Sequence, residues 1–214
     1  MITNETLKLL GAWRSNLFDS YSISEIMRLS KKSTKPWVFS ALRMLVRNNL
    51  LISQRKGNMD LYSLNIYNPY ALQMIQYIEC QENLEFPLLS LILETIKAIP
   101  IRYYCFLVFG SYAEGTQKKG SDLDVCFLVE NEIQEKKIKP YFNDVKLNHP
   151  VHIDEHYVTF SDFVEMLLRP ERNLAKQILI KHKLFLNADI YYGLVKEAHE
   201  HGFKSGIVHG EGKK

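Results

Sequence analysis

Hydrophobic positions along this chain follow two periods. Residues 101–109 (IRYYCFLVF) and 125–129 (VCFLV) are near-continuous runs of β-branched, aromatic and aliphatic side chains, the pattern of strands buried on both faces. Residues 149–159 (HPVHIDEHYVT) alternate in character and predict a third strand. Nearer the N-terminus the period lengthens. Residues 22–30 predict a short helix whose Ser22 and Glu25 have the spacing of a capping box. Residues 36–49 place Val38, Ala41, Leu42, Leu45 and Val46 on one helical face and Arg43 and Arg47 away from it, with Pro36 suited to the first turn. Residues 50–53 and 60–65 flank QRKGNM and predict a hairpin with Gly57-Asn58 at its tip. Further helices are expected over 71–80, 84–99, 131–147, 163–168, 173–182 and 188–201. In the second of these, Leu88, Leu91, Ile92 and Ile96 form a face suited to packing on a sheet, and Pro100 marks its end.

The order of elements implies an α+β chain of two small domains, which 214 residues can accommodate. Residues 66–70 (IYNPY) read as a junction. The expected division is a first domain over 1–66, a linker and helix over 67–83, a second domain with C-terminal helices over 84–204, and a glycine- and lysine-rich flexible tail over 205–214. Charge follows this division. Residues 1–66 hold ten Lys and Arg against four Asp and Glu, a balance of +6; the remainder holds 17 against 20, a balance of −3. The basic excess therefore lies in the N-terminal part.

The densest chemistry is in residues 110–125, GSYAEGTQKKGSDLDV, between the first two expected strands. On a strand, alternate side chains share a face, so Asp122 and Asp124 point one way and Leu123 points into the core. Two carboxylates this close repel unless a cation lies between them, and hard oxygen donors suit Mg²⁺ or Mn²⁺. Gly110 permits close backbone approach at the strand end, and the backbone that follows, with the Ser111 hydroxyl, is suited to holding a phosphate. A phosphate cradle beside metal carboxylates implies metal-assisted phosphoryl or nucleotidyl transfer.

This stretch resembles the signature of the minimal nucleotidyltransferases of the DNA polymerase beta superfamily: Gly-Ser, a ten-residue spacer, then Asp-x-Asp. Gly110, Ser111, Asp122 and Asp124 fill it, and Ala113, Gly115 and Ser121 match common fillers. The resemblance implies a nucleotidyltransferase fold, with Mg²⁺ or Mn²⁺ held by Asp122 and Asp124 and a nucleoside triphosphate held through Gly110, Ser111 and Ser121. ATP is the default nucleotide. It also implies a third carboxylate on a later strand. Asp154 is the expected ligand, with Glu155 the alternative; Asp154 shares its face with His152 and His156, and Glu155 lies on the other face with Ile153 and Tyr157. A separate site of two histidines and one carboxylate is disfavoured, because all three would project from one strand as neighbours. Lys118 and Lys119 read as solvated loop charges.

The N-terminal helices, basic turn and basic hairpin resemble a winged helix-turn-helix domain. What the resemblance implies is binding of double-stranded DNA through Lys32, Lys35, Arg43, Arg47, Arg55 and Lys56, with room for a homodimer. A role in protein interaction or dimerisation is the other use of such a domain.

The expected function is metal-dependent transfer of a nucleoside monophosphate from a triphosphate to an acceptor hydroxyl. Two alternatives stay open. One is a DNA-binding regulator that senses nucleotide. The other is an antitoxin-like enzyme that nucleotidylates a partner protein, as related minimal nucleotidyltransferases do with HEPN partners. No apolar run reaches membrane-spanning length and Met1 opens no secretory signal. Cys80, Cys105 and Cys126 are scattered, without a C-x-x-C pair. The expected location is cytoplasmic.

Overall fold

A computed structural model describes residues 2–204, and the expected tail over 205–214 lies outside the described residues. The chain divides into two compact units, residues 2–78 and 79–203.

The first unit runs α1 (Asn4–Leu7), a 3-10 helix (Lys8–Trp13), β1 (Ser20–Ser22), α2 (Ile23–Leu29), α3 (Lys35–Arg47), β2 (Leu51–Lys56) and β3 (Met59–Leu64), then enters α4 (Pro69–Asn83). Both predicted helices form, for the expected reasons. In α2, Ser22 Oγ accepts from Glu25 N while Glu25 Oε2 accepts from Ser22 N, so the capping box is complete. In α3, Val38, Ala41, Leu42 and Leu45 are buried and Arg43 and Arg47 exposed. The hairpin pairs Arg55 with Asp60 and Lys56 with Met59, leaving Gly57 and Asn58 at the tip, with Gly57 at φ +60°. Beyond the expectation, β1 pairs with β3 to make a three-stranded antiparallel sheet ordered β1-β3-β2. Trp13, fully buried, donates its indole N–H to Asp19 O at 2.9 Å and anchors the loop that leads into β1. Ser22→Ala removes one orphan-donor partner and the carboxylate's hydroxyl contact. It is expected to lower stability by about 1 kcal/mol, read as a shift in the urea midpoint without a change in slope.

The second unit contains the end of α4, then α5 (Leu89–Ala98), β4 (Cys105–Phe109), α6 (Gly110–Glu114), β5 (Leu123–Val129), α7 (Glu132–Leu147), β6 (Ile153–Thr159), α8 (Phe160–Leu168), α9 (Leu174–Ile180), β7 (His182–Leu186) and α10 (Ala188–Glu200). Its sheet is ordered β6-β5-β4-β7 and is mixed: β4 is antiparallel to β5 and β7, whereas β5 and β6 are parallel and joined through α7. Every residue of β4 is buried, and Leu123, Val125, Phe127 and Val129 alternate into one core with Leu91 and Ile92 of α5 and Ile138 and Phe142 of α7. Phe106 stacks on Phe127 at 4.6 Å between ring centroids, and Tyr157 stacks on the same ring at 5.0 Å. Such aromatic pairs contribute roughly 0.5–1.5 kcal/mol each beyond their burial.

Three boundaries correct the sequence reading. The strand expected over 101–109 begins only at Cys105, because Arg102 turns back and donates through Nη1 to Ile96 O (2.9 Å) and Ile99 O (3.3 Å), closing the end of α5. The helix expected over 84–99 begins at Leu89, since Pro87 disfavours helical backbone in the residue before it. The helix expected over 173–182 ends at Ile180, where Lys181 is extended (φ −153°, ψ 119°) and His182 opens β7 against Phe109. The sequence gives no strand signal there, because HKLFL is short and follows directly on a helical pattern. The helices expected over 131–147 and 188–201 form as α7 and α10, and Thr159 caps α8 by accepting from Asp162 N.

Candidate functional site

The sheet topology gathers the expected residues at one edge. Because β4 runs antiparallel to β5, and β5 parallel to β6, the C-terminal end of β4 lies beside the N-terminal ends of β5 and β6. Gly110 and Ser111 leave β4, Asp122 and Asp124 enter β5, and Asp154 enters β6. Asp124 and Asp154 are direct register partners on neighbouring strands. Asp122 is exposed and sits just before the strand, tied to β6 where Leu123 N donates to His152 O at 2.9 Å.

Gly110 is required by this geometry. Its φ is +64°, and a Cβ placed on it would fall 2.0 Å from Asp124 Oδ2 and 2.8 Å from Asp124 Cγ. The carboxylate of Asp124 therefore occupies the space that any other residue's side chain would need. The loop from α6 to β5 is braced internally. Gly115 ends α6 at φ +73°, and Ser121 Oγ accepts from Lys118 N at 2.9 Å. Ser121 thus shapes the loop that carries Asp122, and Lys118 and Lys119 on it are exposed.

Electrostatics favour a cation at this edge. Burial pushes the Asp124 carboxyl above its ordinary range; Asp154 adds to this, His156 opposes it, and Asp122 raises it further. Asp124 is thus a carboxylate that its neighbours make costly to ionise. Asp122 and Asp154 are each engaged by an imidazole. His152 Nδ1 lies 3.0 Å from Asp122 Oδ1, and His156 Nε2 lies 3.3 Å from Asp154 Oδ2. Glu155, the alternative third ligand, is held by Lys146 and lies beside Val125, one register step from Asp124.

The donor set fits a hard divalent cation in its chemistry: three carboxylates at one sheet edge, one of them destabilised as an anion, with a side-chain-free approach at Gly110. Among the described residues no group of three or more His, Cys, Asp or Glu side chains is placed to hold a metal ion, and Asp122 and Asp154 each lie at ion-pair distance from a histidine. The sequence had placed His152 and His156 on the face of Asp154. It held no signal that His152 would meet Asp122, because that depends on the neighbouring strand.

The basic residues singled out in the first unit separate into two kinds. Lys35, Arg43, Arg47, Arg55 and Lys56 are exposed. Arg43 and Arg47 line a groove with Phe39, Tyr62 and Asp60, and Arg43 lies over the Phe39 ring at 5.8 Å. Lys32 is instead committed to Glu5, Nζ to Oε2 at 2.7 Å, and sits over Trp37. Lys32 and Lys8 together hold the Glu5 carboxyl down to about 2.

Among the described residues no helix is long and apolar enough to cross a membrane. No curated protein and no solved structure matches the chain. Residues 104–186 match the family model described as "Nucleotidyltransferase domain". The mixed four-strand sheet and its flanking helices accord with that fold. The match begins one residue before β4 and ends with the last residue of β7, so it contains Gly110, Ser111, Ser121, Asp122, Asp124 and Asp154, and it supports nucleotidyl transfer as the chemistry of this span.

Proposed function

We propose that the protein is a metal-dependent nucleotidyltransferase that moves a nucleoside monophosphate from a nucleoside triphosphate to an acceptor hydroxyl. The observation that carries this reading is the in-register pair Asp124 and Asp154 beside Gly110, at the strand edge where Asp122 also enters. In this reading Asp122, Asp124 and Asp154 hold Mg²⁺ or Mn²⁺. Bound there, the cation supplies charge neutralisation for the entering and leaving oxygens. Gly110 and Ser111 take the β- and γ-phosphates, Ser111 through its hydroxyl and Gly110 by leaving the approach open. Ser121 keeps the loop in place around them. The acceptor oxygen forms a bond to the α-phosphorus and loses its proton. The bond from that phosphorus to the bridging oxygen breaks, and pyrophosphate leaves. ATP is the default nucleotide, and the location of the chemistry is the cytoplasm.

The test is transfer of label from α-phosphate-labelled ATP, GTP, CTP and UTP, with Mg²⁺ or Mn²⁺, into the pure protein and a cell extract. Label appearing with wild type and not with Asp122→Asn/Asp124→Asn supports the reading, and the labelled species identifies the acceptor class, a partner protein included. Binding of MgATP without any transfer makes the nucleotide-sensing regulator the better reading.

The first unit is proposed to bind double-stranded DNA, with α3 and the hairpin as its contact elements. The supporting observation is that five of the six singled-out basic side chains are exposed on α3 and the hairpin. The committed ion pair of Lys32 removes it from the phosphate contacts in this proposal. Arg55→Ala and Lys56→Ala are each expected to weaken binding uniformly across sequences and to lower the slope of log K against log salt by about one. Lys32→Ala is expected to leave the slope unchanged. Equal slopes for all three would sink the assignment.

A further inference from the structure

The first unit contains a cavity that the proposed chemistry does not use. Phe39, Arg43, Val46 and Arg47 recur at helical spacing and share one face of α3. Opposite them, Ser53 and Tyr62 are register partners and Asp60 lies two residues before Tyr62, so all three share one face of the hairpin. Between these faces lies a groove of about 370 Å³, the scale of a small-molecule site. Tyr62, 3% exposed, forms its floor, and Phe39, 39% exposed, forms one wall. Burial raises the Tyr62 phenol above its ordinary range, the charge of Asp60 adds to this, and Ser53 and Arg43 oppose it, so both charges bear on the groove floor. These charges are uncommitted: among the described residues Arg43, Arg47 and Asp60 form no ion pair. Arg55, the register partner of Asp60, donates instead through Nε to Gly57 O at 3.4 Å. Another cavity, of about 380 Å³ beside Trp37, differs in this respect, because its Glu5 carboxylate is already held by Lys8 and Lys32, each at 2.7 Å.

We propose that this groove binds a guanine mononucleotide, with the phosphate on Arg43 and Arg47, the base edge on Asp60 and the ring against Phe39 and Val46. Two guanidiniums one helical turn apart suit phosphate oxygens. A carboxylate only accepts hydrogen bonds. Of the four bases, guanine alone presents two adjacent donors, N1–H and its exocyclic amine, on one edge; adenine and cytosine put a donor beside an acceptor there. Stacking of a base needs an accessible aromatic ring, which Phe39 offers, with the Arg43 guanidinium 5.8 Å from its centroid. Asp60 and the two arginines lie beyond ion-pair distance of one another. A ligand that joins them must therefore carry its donor edge and its anion on separate parts, as a nucleotide does. An α-amino acid, with ammonium and carboxylate on one carbon, does not. The inference rests neither on the metal reading of the second unit nor on duplex binding, although it shares Arg43 and Arg47 with the latter.

The experiment is equilibrium dialysis of labelled GMP and AMP against the full chain in EDTA. GMP lacks the β- and γ-phosphates assigned to Gly110 and Ser111, and EDTA withholds the cation. Wild type is compared with Asp60→Asn, Arg43→Ala and Asp122→Asn/Asp124→Asn, and melting by circular dichroism is run on each. Wild type is expected to favour GMP over AMP by about 5- to 150-fold, the worth of one bidentate base contact. Asp60→Asn is expected to lose that preference at an unchanged fold, because asparagine offers one acceptor and one donor, the set that suits adenine. Arg43→Ala is expected to weaken GMP and AMP equally, since its contact is with the phosphate. Asp122→Asn/Asp124→Asn is expected to bind GMP as wild type does. Wild type that binds no GMP, or a preference for GMP that survives in Asp60→Asn, overturns this proposal and leaves nucleotidyl transfer, read by α-label, standing. Binding lost in Asp122→Asn/Asp124→Asn but kept in Asp60→Asn puts the nucleotide in the second unit and overturns it as well.

Discussion

Asp124→Asn is expected to abolish the proposed nucleotidyl transfer and at the same time to make the cation-free protein harder to melt. Both effects follow from one carboxylate. Asp124 sits between β4 and β6, partly buried, and is a register partner of Asp154. Burial raises its pKa most, followed by the charge of Asp154, with Asp122 adding to them and His156 subtracting. A carboxyl whose folded pKa is raised stabilises the fold fully below its unfolded pKa, about 4, and that contribution is lost as pH rises through the folded value. At neutral pH the ionised Asp124 is therefore a cost. Asparagine removes the charge with almost no change in shape. In EDTA the variant's melting temperature is expected above that of wild type at pH 7, and the difference is expected to vanish on acidification below pH about 4. Added Mg²⁺ or Mn²⁺ is expected to raise the wild-type melting temperature and leave the variant's unchanged, because a ligand stabilises only the state that binds it. Transfer is expected to fall by at least about 10²- to 10³-fold, the scale of losing one preorganised electrostatic partner. Thermal melts in EDTA and in Mg²⁺, beside α-label transfer, check all three. A variant that transfers within tenfold of wild type, or melts below it at pH 7 in EDTA, contradicts the assignment.

Gly110→Ala is expected to damage the same site by steric means alone. The backbone there is left-handed, at φ +64°, which costs an L-residue roughly 1–2 kcal/mol. The larger effect is local. The new methyl would lie 2.0 Å from Asp124 Oδ2, so the carboxylate must leave its place or β4 and β5 must part. Overpacking of this kind costs typically about 1–3 kcal/mol. A displaced catalytic group costs on the order of 10²-fold in rate per ångström. Gly115→Ala is the matched control: its φ is +73°, but no atom lies within 4 Å of the added Cβ. It carries the backbone strain without the collision. The expected result is a similar backbone penalty for both variants, with transfer and Mn²⁺ binding lost only in Gly110→Ala. Equal loss of transfer in both would mean that backbone strain, and not the Asp124 contact, is what the glycine serves.

Much of the local structure around the candidate site was legible in the sequence, and the reasons are local. Leu123 had to be buried if Asp122 and Asp124 were to share a face, and it is. Ser22 with Glu25, and Val38, Ala41, Leu42 and Leu45, carry their meaning within one or two turns, so α2 and α3 appear where the pattern put them. Asn131 caps α7 in the same self-contained way, accepting from Gln134 N at 3.0 Å. The failures have causes that lie outside the segments concerned. Residues 101–104 look like strand by composition, but Arg102 is used to close α5 and Asn187 Nδ2 takes the carbonyls of Arg102 (2.5 Å) and Tyr104 (2.8 Å). The Asn187 competition comes from a single residue, 85 positions from Arg102 and 83 from Tyr104, and leaves no trace in the segment itself. β7 is invisible for a related reason: its strand identity comes from pairing with β4, not from its five residues.

The sequence by itself determined the chemistry on offer: a Gly-Ser turn, paired aspartates on one face, a later strand with a third, and a basic N-terminal part. These are properties of spacing and alternation, which the backbone enforces over a few residues whatever surrounds them. Only the tertiary structure decided which carboxylates meet. The parallel register of β5 and β6 makes Asp154, and not Glu155, the partner of Asp124, and a slip of one residue would have reversed that choice. It also decided that Gly110 yields its side-chain space to Asp124, that His152 lies by Asp122, and that Lys32 is committed to Glu5. Each of these is a contact between segments far apart in the chain, set by strand order and packing rather than by any local preference.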